Sequence, residues 1–454
     1  MYQDLKDFER AMRGAEAAVI GIGISNRPLI RYLCSLGAHV IACDKRPEGQ
    51  LGADVIRELQ DLGVRLKLGP DYLKNIEQPL IFKTPGLRFD VPELQEARRK
   101  GAKVTSEMEV FFDVCPSKII AVTGSDGKTT TTTLIYKMLC EAGYKVWLGG
   151  NIGNPLLSQT RDMRPEDYVV LELSSFQLHT LQKSPSIAVI TNISPNHLDV
   201  HKSYEEYIEA KKNIMLYQKP EDVLVVNADN AVTRQIGGEA KGRVLYFSAG
   251  SEADVCLKDG MIYRGGQPVL AVCDIKVPGR HNVENYMAAI AAVGKLAGKD
   301  AIFKVATTFG GVEHRIELVR ELDGVRYYNS SIDSSPNRTI NTLKVFPNKV
   351  ILIAGGKDKG IPYDDIGPAI AEHVKVLLLI GATADRIEEA YRKADAEGAV
   401  ECIRCTSYEE VVQTARRKAE PGDVVLLSPA STSFDMFNNF EERGNLFKKL
   451  VHEL

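Results

Sequence analysis

The residues best suited to chemistry in this sequence lie in the run Ile119-Ile120-Ala121-Val122-Thr123-Gly124-Ser125-Asp126-Gly127-Lys128-Thr129-Thr130. A β-branched apolar run ends in a tight glycine turn. Leu134, Ile135, Met138 and Leu139 then recur at helical spacing, so the segment is expected to be strand, loop and helix. Gly124 and Gly127 let backbone N–H groups converge on an anion at the positive end of the helix, Lys128 adds a point charge, and the Thr129 hydroxyl can ligate Mg²⁺. Such a loop cradles the phosphates of a nucleoside triphosphate. It is a shortened form of the phosphate-loop pattern, because Val122 stands where the longer version has its first glycine.

Three further residue types point to the same neighbourhood. In Tyr168-Val169-Val170-Leu171-Glu172-Leu173 one acid is embedded in an apolar strand. A carboxylate there is costly unless paired or metal-bound, which makes Glu172 a candidate Mg²⁺ ligand. His197, in Asn196-His197-Leu198-Asp199, follows the strand pattern Ile187 to Asn192, at the end of a strand where α/β proteins gather ligands. Over Ser203 to Tyr217 a turn of about 100° per residue stacks Tyr204, Tyr207, Ile208, Ile214 and Met215 in one stripe, with Lys211 in its middle and Lys212 outside it. Two readings of Lys211 stand: its stem packs while the ammonium reaches water, or the amine is buried, loses proton affinity, and serves as a base or as the seat of a carbamate. Between these elements, Gly149-Gly150-Asn151-Ile152-Gly153 is a turn where backbone can approach a ligand closely.

The elements that must position these groups follow from the whole chain. At 454 residues it is too long for one core and suggests about three domains. A formal net charge of −3 with no long basic run argues against a nucleic-acid or anionic-membrane partner. No apolar run approaches membrane-spanning length and the amino terminus is charged and amphipathic, so a cytoplasmic protein is expected. Cys402 and Cys405 form the one C-x-x-C, without a second pair, and are read as reduced structural thiols.

Residues 17–46 form a βαβ pattern with Gly21, Gly23 and, at its far end, Asp44. Asp44 is spaced as an acid that meets a ribose hydroxyl, whereas Asn26 in place of a third glycine weighs against a dinucleotide. Pro79 to Thr84 continues as a strand stopped by the turn Pro85-Gly86. Later, Pro278-Gly279 hands the chain to a helix whose start carries His281, Asn282 and Asn285, types that cap a helix or hold a nucleotide. Beyond the Gly310-Gly311 hinge and His314-Arg315, strands and helices alternate to the end. They place Gly355 to Gly360 and Ser428 to Asp435 at strand ends, where such sheets bind ligands. The fold class is α/β in three domains: Rossmann-like at 1–106, a phosphate-loop ATPase with a parallel sheet at 107–311, and Rossmann-like again at 312–454.

Taken together, Thr123-Gly-Ser-Asp-Gly-Lys-Thr-Thr130, Gly150-Asn-Ile-Gly153, Leu171-Glu-Leu-Ser-Ser-Phe-Gln-Leu178, Asn196-His-Leu-Asp199, Gly279-Arg-His-Asn282, Glu313-His-Arg315, Leu427-Ser-Pro-Ala430 and Asn439-Phe-Glu-Glu-Arg-Gly444 resemble the Mur ligases of peptidoglycan synthesis. The Rossmann-like first region and the E-L-S-S-F-Q-L string favour the member that adds D-glutamate. The resemblance implies an ATP-dependent amide ligase, with UDP-N-acetylmuramoyl-L-alanine on the first domain, MgATP on the second and the amino acid brought by the third. By the same resemblance Ser25, Asp44, Lys45, Arg46 and Gly86 would contact the UDP moiety and Asn151 its diphosphate or sugar. Gly124, Gly127, Lys128, Thr129, Thr130, Asn285 and Arg315 would bind ATP, while Thr129, Glu172, His197 and a carbamylated Lys211 would serve two Mg²⁺ ions. Lys359, Ser433 and Phe440 would frame D-glutamate. Lys128, His197 and Lys211 would carry the catalysis, and a monomer is expected. Relatives place an acid directly after the asparagine that here is Asn329. This chain has Ser330 there, and Asp333 is the candidate replacement.

Overall fold

A computed structural model of the chain describes residues 2–23, 26–195, 200–358, 360–395 and 398–454. Ser25, His197 and Lys359, singled out above, lie outside the described residues. The chain forms two compact units, Met1–Val272 with Glu284–Val305, and Cys273–Val283 with Ala306–Leu454.

The larger unit holds two sheets. The first contains β1 (Glu16–Ile20), β2 (His39–Asp44), β3 (Arg65–Leu68), β4 (Leu80–Lys83) and β5 (Lys103–Thr105), all parallel, in the order β3-β2-β1-β4-β5. The order reverses between β1 and β4, the point at which open α/β sheets take their ligands. The second runs β6 (Lys118–Thr123), β7 (Val146–Gly150), β8 (Tyr168–Glu172), β9 (Ile187–Ile190), β10 (Val223–Asn227), β11 (Arg243–Ser248), β12 (Val255–Lys258), β13 (Met261–Arg264) and β14 (Gln267–Ala271). Its order is β14-β13-β12-β11-β10-β9-β6-β8-β7, parallel except where β13 and β14 turn back along the edge.

Strand β6 sits inside this sheet between β8 and β9, and its residues from Ile119 to Thr123 are buried on both faces. That is why its residues from Ile119 to Val122 read as an unbroken apolar run. One apolar core extends from Phe8 through Val110, Phe111 and Ala121 to Ile236, joining the helices of both sheets.

The smaller unit contains β15 (Glu317–Leu322), β16 (Val325–Asn329), β17 (Val350–Ala354), β18 (Val374–Leu379), β19 (Glu401–Arg404) and β20 (Val424–Leu427), ordered β15-β16-β20-β17-β18-β19. Only β15 is antiparallel to its neighbour. The alternation expected beyond residue 311 is therefore found as mixed α/β. Strands β17 and β20 are buried throughout and send their chain ends towards the two loops singled out in the sequence. Among the described residues no helix is long and apolar enough to cross a membrane.

Candidate active site

Strand β6 ends at Thr123, wholly buried, and the chain turns through Gly124 and Gly127 into the helix Lys128–Glu141. A Cβ on Gly124 would lie 1.9 Å from Thr191 Oγ1, and one on Gly127 would lie 2.3 Å from Asn285 Oδ1. The two glycines thus admit side chains that brace the loop from outside. Thr191 Oγ1 donates to the Asp126 carbonyl (2.6 Å), Asp126 N donates to Asn192 Oδ1 (2.9 Å), and Ser125 N donates to the Asn192 carbonyl (2.9 Å). Lys128 Nζ folds back to the Ser125 carbonyl at 2.9 Å. Asn285 reaches the loop from the far end of the unit and also accepts from Thr131 Oγ1 at 3.3 Å. Thr191 and Asn192, read in the sequence as the end of a buried strand, lie just beyond β9 (Ile187–Ile190).

Gly127 has φ 76°, so Gly127→Ala adds left-handed strain of about 1–2 kcal/mol to the displacement of Asn285. The expected outcome is a loss of nucleotide affinity of roughly tenfold or more with little change in secondary structure, measured by titration with a fluorescent ATP analogue.

Glu172, the last residue of β8, is 1 % exposed. Its Oε1 accepts from Asn151 Nδ2 at 2.8 Å, whereas Oε2 is buried without a hydrogen-bond partner. Gly149 and Gly150, read in the sequence as part of a turn, close strand β7, and Gly150 comes close to the neighbouring strand. A Cβ on Gly150 would lie 2.1 Å from the Glu172 carbonyl oxygen, which also accepts from Asn151 N at 2.8 Å. Asn151 is thereby the residue that orients Glu172.

The structure decides whether the Lys211 amine reaches water. The helix Tyr204–Leu216, capped by Ser203 Oγ accepting from Glu206 N, buries Tyr207, Ile214 and Met215 as the stripe requires. Lys211 within it is only 1 % exposed, too little for its ammonium to reach water. Its Nζ donates to the Gly124 carbonyl (2.7 Å) and towards Thr123 Oγ1 (3.3 Å), and lies 4.7 Å above the Tyr207 ring. Burial, seconded by the charge of Lys128, pulls its proton affinity well below that of an ordinary lysine, against the attraction of Glu172 and Asp126. Lys212, outside the stripe, pairs with Glu209 and Glu239 instead.

At the first sheet, Asp44 Oδ2 accepts from Ile22 N at 2.8 Å, and Arg46 grips the carboxylate through Nε (2.9 Å) and Nη2 (2.7 Å). Burial would raise its pKa, but these donors outweigh it and hold the acid at about 2. Asp44 therefore shapes the glycine turn and presents Arg46. Asn26, where a third glycine was missing, ties its helix to the sheet, since Nδ2 donates to the Ile20 carbonyl at 2.9 Å. Lys45 and Gly86 are exposed.

In the smaller unit the two expected loops pair with each other through an antiparallel bridge between Lys357 and Thr432. Behind them lies a residue to which the sequence reading, having quoted the string that contains it, assigned no role. Arg443, 1 % exposed, donates to Ser331 Oγ (2.9 Å), the Ser331 carbonyl (2.8 Å) and the Ser431 carbonyl (3.1 Å). It ties Ser431 to Ser331 just beyond β16, Ser331 Oγ in turn donates to the Phe440 carbonyl, and Ser433 is buried two residues on. The Phe440 ring meets His314 edge-on at 5.9 Å, and Arg315 beside it is half-buried. Asp333 does not stand open as a ribose contact would: it is buried, and its Oδ2 accepts from Thr342 and Ser428 hydroxyls at 2.8 Å each.

Comparison with known proteins agrees with this geometry. Residues 122–293 match the Mur ligase middle domain and 314–431 the Mur ligase, glutamate ligase domain. UDP-N-acetylmuramoylalanine–D-glutamate ligases of Ruminiclostridium cellulolyticum and Acetivibrio thermocellus are each 56 % identical to this chain, over 100 % of both chains. The solved UDP-N-acetylmuramate–alanine ligase of Thermotoga maritima, at 20 % identity, superposes with a TM-score of 0.61 over 96 % of this chain and 99 % of its own, a likeness of fold. A phosphate cradle at the end of a buried strand, an embedded acid beside it and two full-length relatives of one kind lead to one conclusion: the chain belongs to the Mur ligase family and is a ligase.

Proposed function

We propose that this ligase uses ATP to join D-glutamate to UDP-N-acetylmuramoyl-L-alanine through an acyl phosphate. The observation that carries the reading is the closing of Lys128 and Lys211 on one glycine loop, with Glu172 on the strand paired to β6, in a chain whose full-length relatives bear that activity in their names. The division of labour proposed is 1–106 for the UDP sugar, 107–311 for ATP and 312–454 for the amino acid, in three Rossmann-like or phosphate-loop domains. The enzyme is proposed to be cytoplasmic, where its nucleotide substrates are, and monomeric.

The loop N–H groups and Lys128 hold the β- and γ-phosphates, and Asn285 fixes the loop from behind. The L-alanyl carboxylate attacks the γ-phosphorus, ADP leaves, and the acyl phosphate forms. The amine of D-glutamate then attacks the acyl carbon, a proton passes to a base, a role open to His197 only while it is not engaged in ordering the metal site, and inorganic phosphate departs. Mg²⁺, when bound, neutralises charge on the transferring phosphoryl group. The partnerless Glu172 Oε2 fits one such cation together with the Thr129 hydroxyl, and His197 and Lys211 are proposed to serve a second. A neutral Lys211 amine can add to carbon dioxide, forming an N–C bond and releasing a proton, and the resulting carbamate is a ligand that an ammonium cannot be. On the smaller unit Lys359, Ser433 and Phe440 are proposed to receive D-glutamate, with Arg315 reserved for ATP.

ADP release with ATP, Mg²⁺ and UDP-N-acetylmuramoyl-L-alanine, measured while the amino acid is varied, tests the reading. D-glutamate is expected to support turnover. Turnover with L-alanine on the unextended sugar, and none with D-glutamate, would move the chain to a sibling ligase.

A further inference from the structure

The larger unit contains two proposed ligand sites, and one side chain links the elements that border them. The first lies at the strand reversal of the first sheet. There Thr84 N, entering the Pro85-Gly86 turn after β4, donates to the Ile20 carbonyl at the end of β1 (3.0 Å), so the β4 turn borders the place where such sheets take ligands. The second is the phosphate cradle, whose Gly124 carbonyl is held by Lys211.

Arg88 stands two residues beyond Gly86. On its own loop Asp90 clamps it through Nε (2.8 Å) and Nη2 (2.9 Å). From there it reaches 118 residues along the chain to Glu206, with Nη2 on Oε1 (2.8 Å) and Nη1 on Oε2 (3.1 Å). Its Nη1 also donates to the Val200 carbonyl at 2.8 Å. Glu206 is in the first turn of the Lys211 helix, and Val200 directly follows the 196–199 segment. Lys202 adds a second tie to Asp90 at 2.6 Å.

These are two-pronged charge-assisted contacts, the geometry for which a guanidinium is suited and an ammonium is not. The side chains of Arg88, Asp90 and Glu206 are about one-fifth exposed, at 21 %, 17 % and 21 %, which limits screening by solvent. Below Arg88 a small cavity lined by Lys83, Gly86, Phe176, His179 and His201 lies along the same seam. His179 and His201 each stand 3.7 Å from the Glu206 carboxylate.

We propose that Arg88 is a positioning residue that couples occupation of the first-sheet crevice by the UDP-sugar substrate to the arrangement of the Lys211 helix. Donor and nucleotide thereby bind cooperatively. This rests on the proposed function for the identity of the two ligands. A substrate seated against the Pro85-Gly86 turn fixes the loop, Asp90 fixes the guanidinium within it, and Glu206 and Val200 transmit that position to the start of the helix bearing Lys211. A brace that served stability alone would leave the affinity of one ligand indifferent to the other.

The test is calorimetric titration of the full chain with UDP-N-acetylmuramoyl-L-alanine, with and without a non-hydrolysable ATP analogue and Mg²⁺. The natural chain, Arg88→Gln, Glu206→Gln and the double variant are compared, and melting temperatures are recorded beside them. In the natural chain each ligand is expected to tighten the other by roughly 5- to 150-fold. In either single variant that factor should fall towards one while each ligand alone still binds, and the double variant should be no worse than the singles. Should Arg88→Gln fail to fold, Glu206→Gln carries the same expectation, since it keeps the Asp90 clamp and the side-chain volume. An unchanged factor in the variants, or no cooperation in the natural chain, overturns the coupling. A natural chain that does not bind the UDP sugar at all would instead overturn the proposed function.

Discussion

Lys128→Ala is expected to cut ADP release by about a hundred- to a thousandfold, the cost of deleting one preorganised charge aimed at a developing anion. The fold should survive. Lys128 opens its helix from a half-buried place and its Nζ is held by the Ser125 carbonyl, a contact that braces the loop without filling a core. The loop has other supports, from Thr191, Asn192 and Asn285. The variant should therefore keep its melting temperature within a degree or two and lose nucleotide affinity together with turnover. Steady-state ADP release and a nucleotide titration, run side by side, check both halves. ATP held as tightly by Lys128→Ala as by the natural chain would remove the cradle from the mechanism. A secondary effect is also expected: Lys128 is one of the causes that depress the proton affinity of Lys211, so its removal should raise that affinity.

The second large effect concerns Lys211, where activity should fall while stability holds. Lys211→Met is expected to cost roughly 10- to 100-fold in turnover, as loss of a group ordering a metal site does. It should cost little or no stability, because it replaces a buried amine by an apolar side chain of similar length. The pH dependence carries the sign. Burial lowers the folded-state affinity of Lys211 for its proton below that of the unfolded chain, whose lysines titrate near ~10.4. Between the lowered value and ~10.4 the unfolded state binds the proton that the folded state refuses. Stability from this residue is thus missing below the window and is recovered as pH rises through it. Melting curves from neutral pH upward should show that upward slope in the natural chain and a flatter one in Lys211→Met. For the carbamate, the natural enzyme should lose activity when carbon dioxide and bicarbonate are stripped. Lys211→Ala should regain part of its activity with a short carboxylic acid. Full activity in Lys211→Ala without any addition would dispose of the carbamate.

How far the site could be read from the sequence follows from the range of each interaction. The strand, glycine loop and helix around Lys128 depend on neighbours a few residues apart, so composition and spacing were enough. Lys211 was legible as the centre of a helical stripe, yet whether its amine reached water depended on Gly124, 87 residues earlier, to which it donates. Glu172 announced itself as an acid in an apolar strand, but its orientation by Asn151 was hidden in a turn read as open to ligand. Asp333 looked available three residues past Ser330 and is instead enclosed by the hydroxyls of Thr342 and Ser428. Arg88 and Glu206 gave no local signal, and Arg443 appeared only as one member of the Asn439 to Gly444 string without a role, since charged residues in loops and helix starts are ordinary until a distant partner is known. The antiparallel edge strands β12 to β14 were likewise silent, being short and only partly buried.

Asn285 closes the Gly127 turn from a point 154 residues downstream of Thr131, to which it also bonds. During synthesis on the ribosome, the nucleotide cradle therefore stays unfinished until translation has passed more than half the message. A prematurely terminated product that ends before this asparagine would carry every other part of the loop and still lack its outer wall.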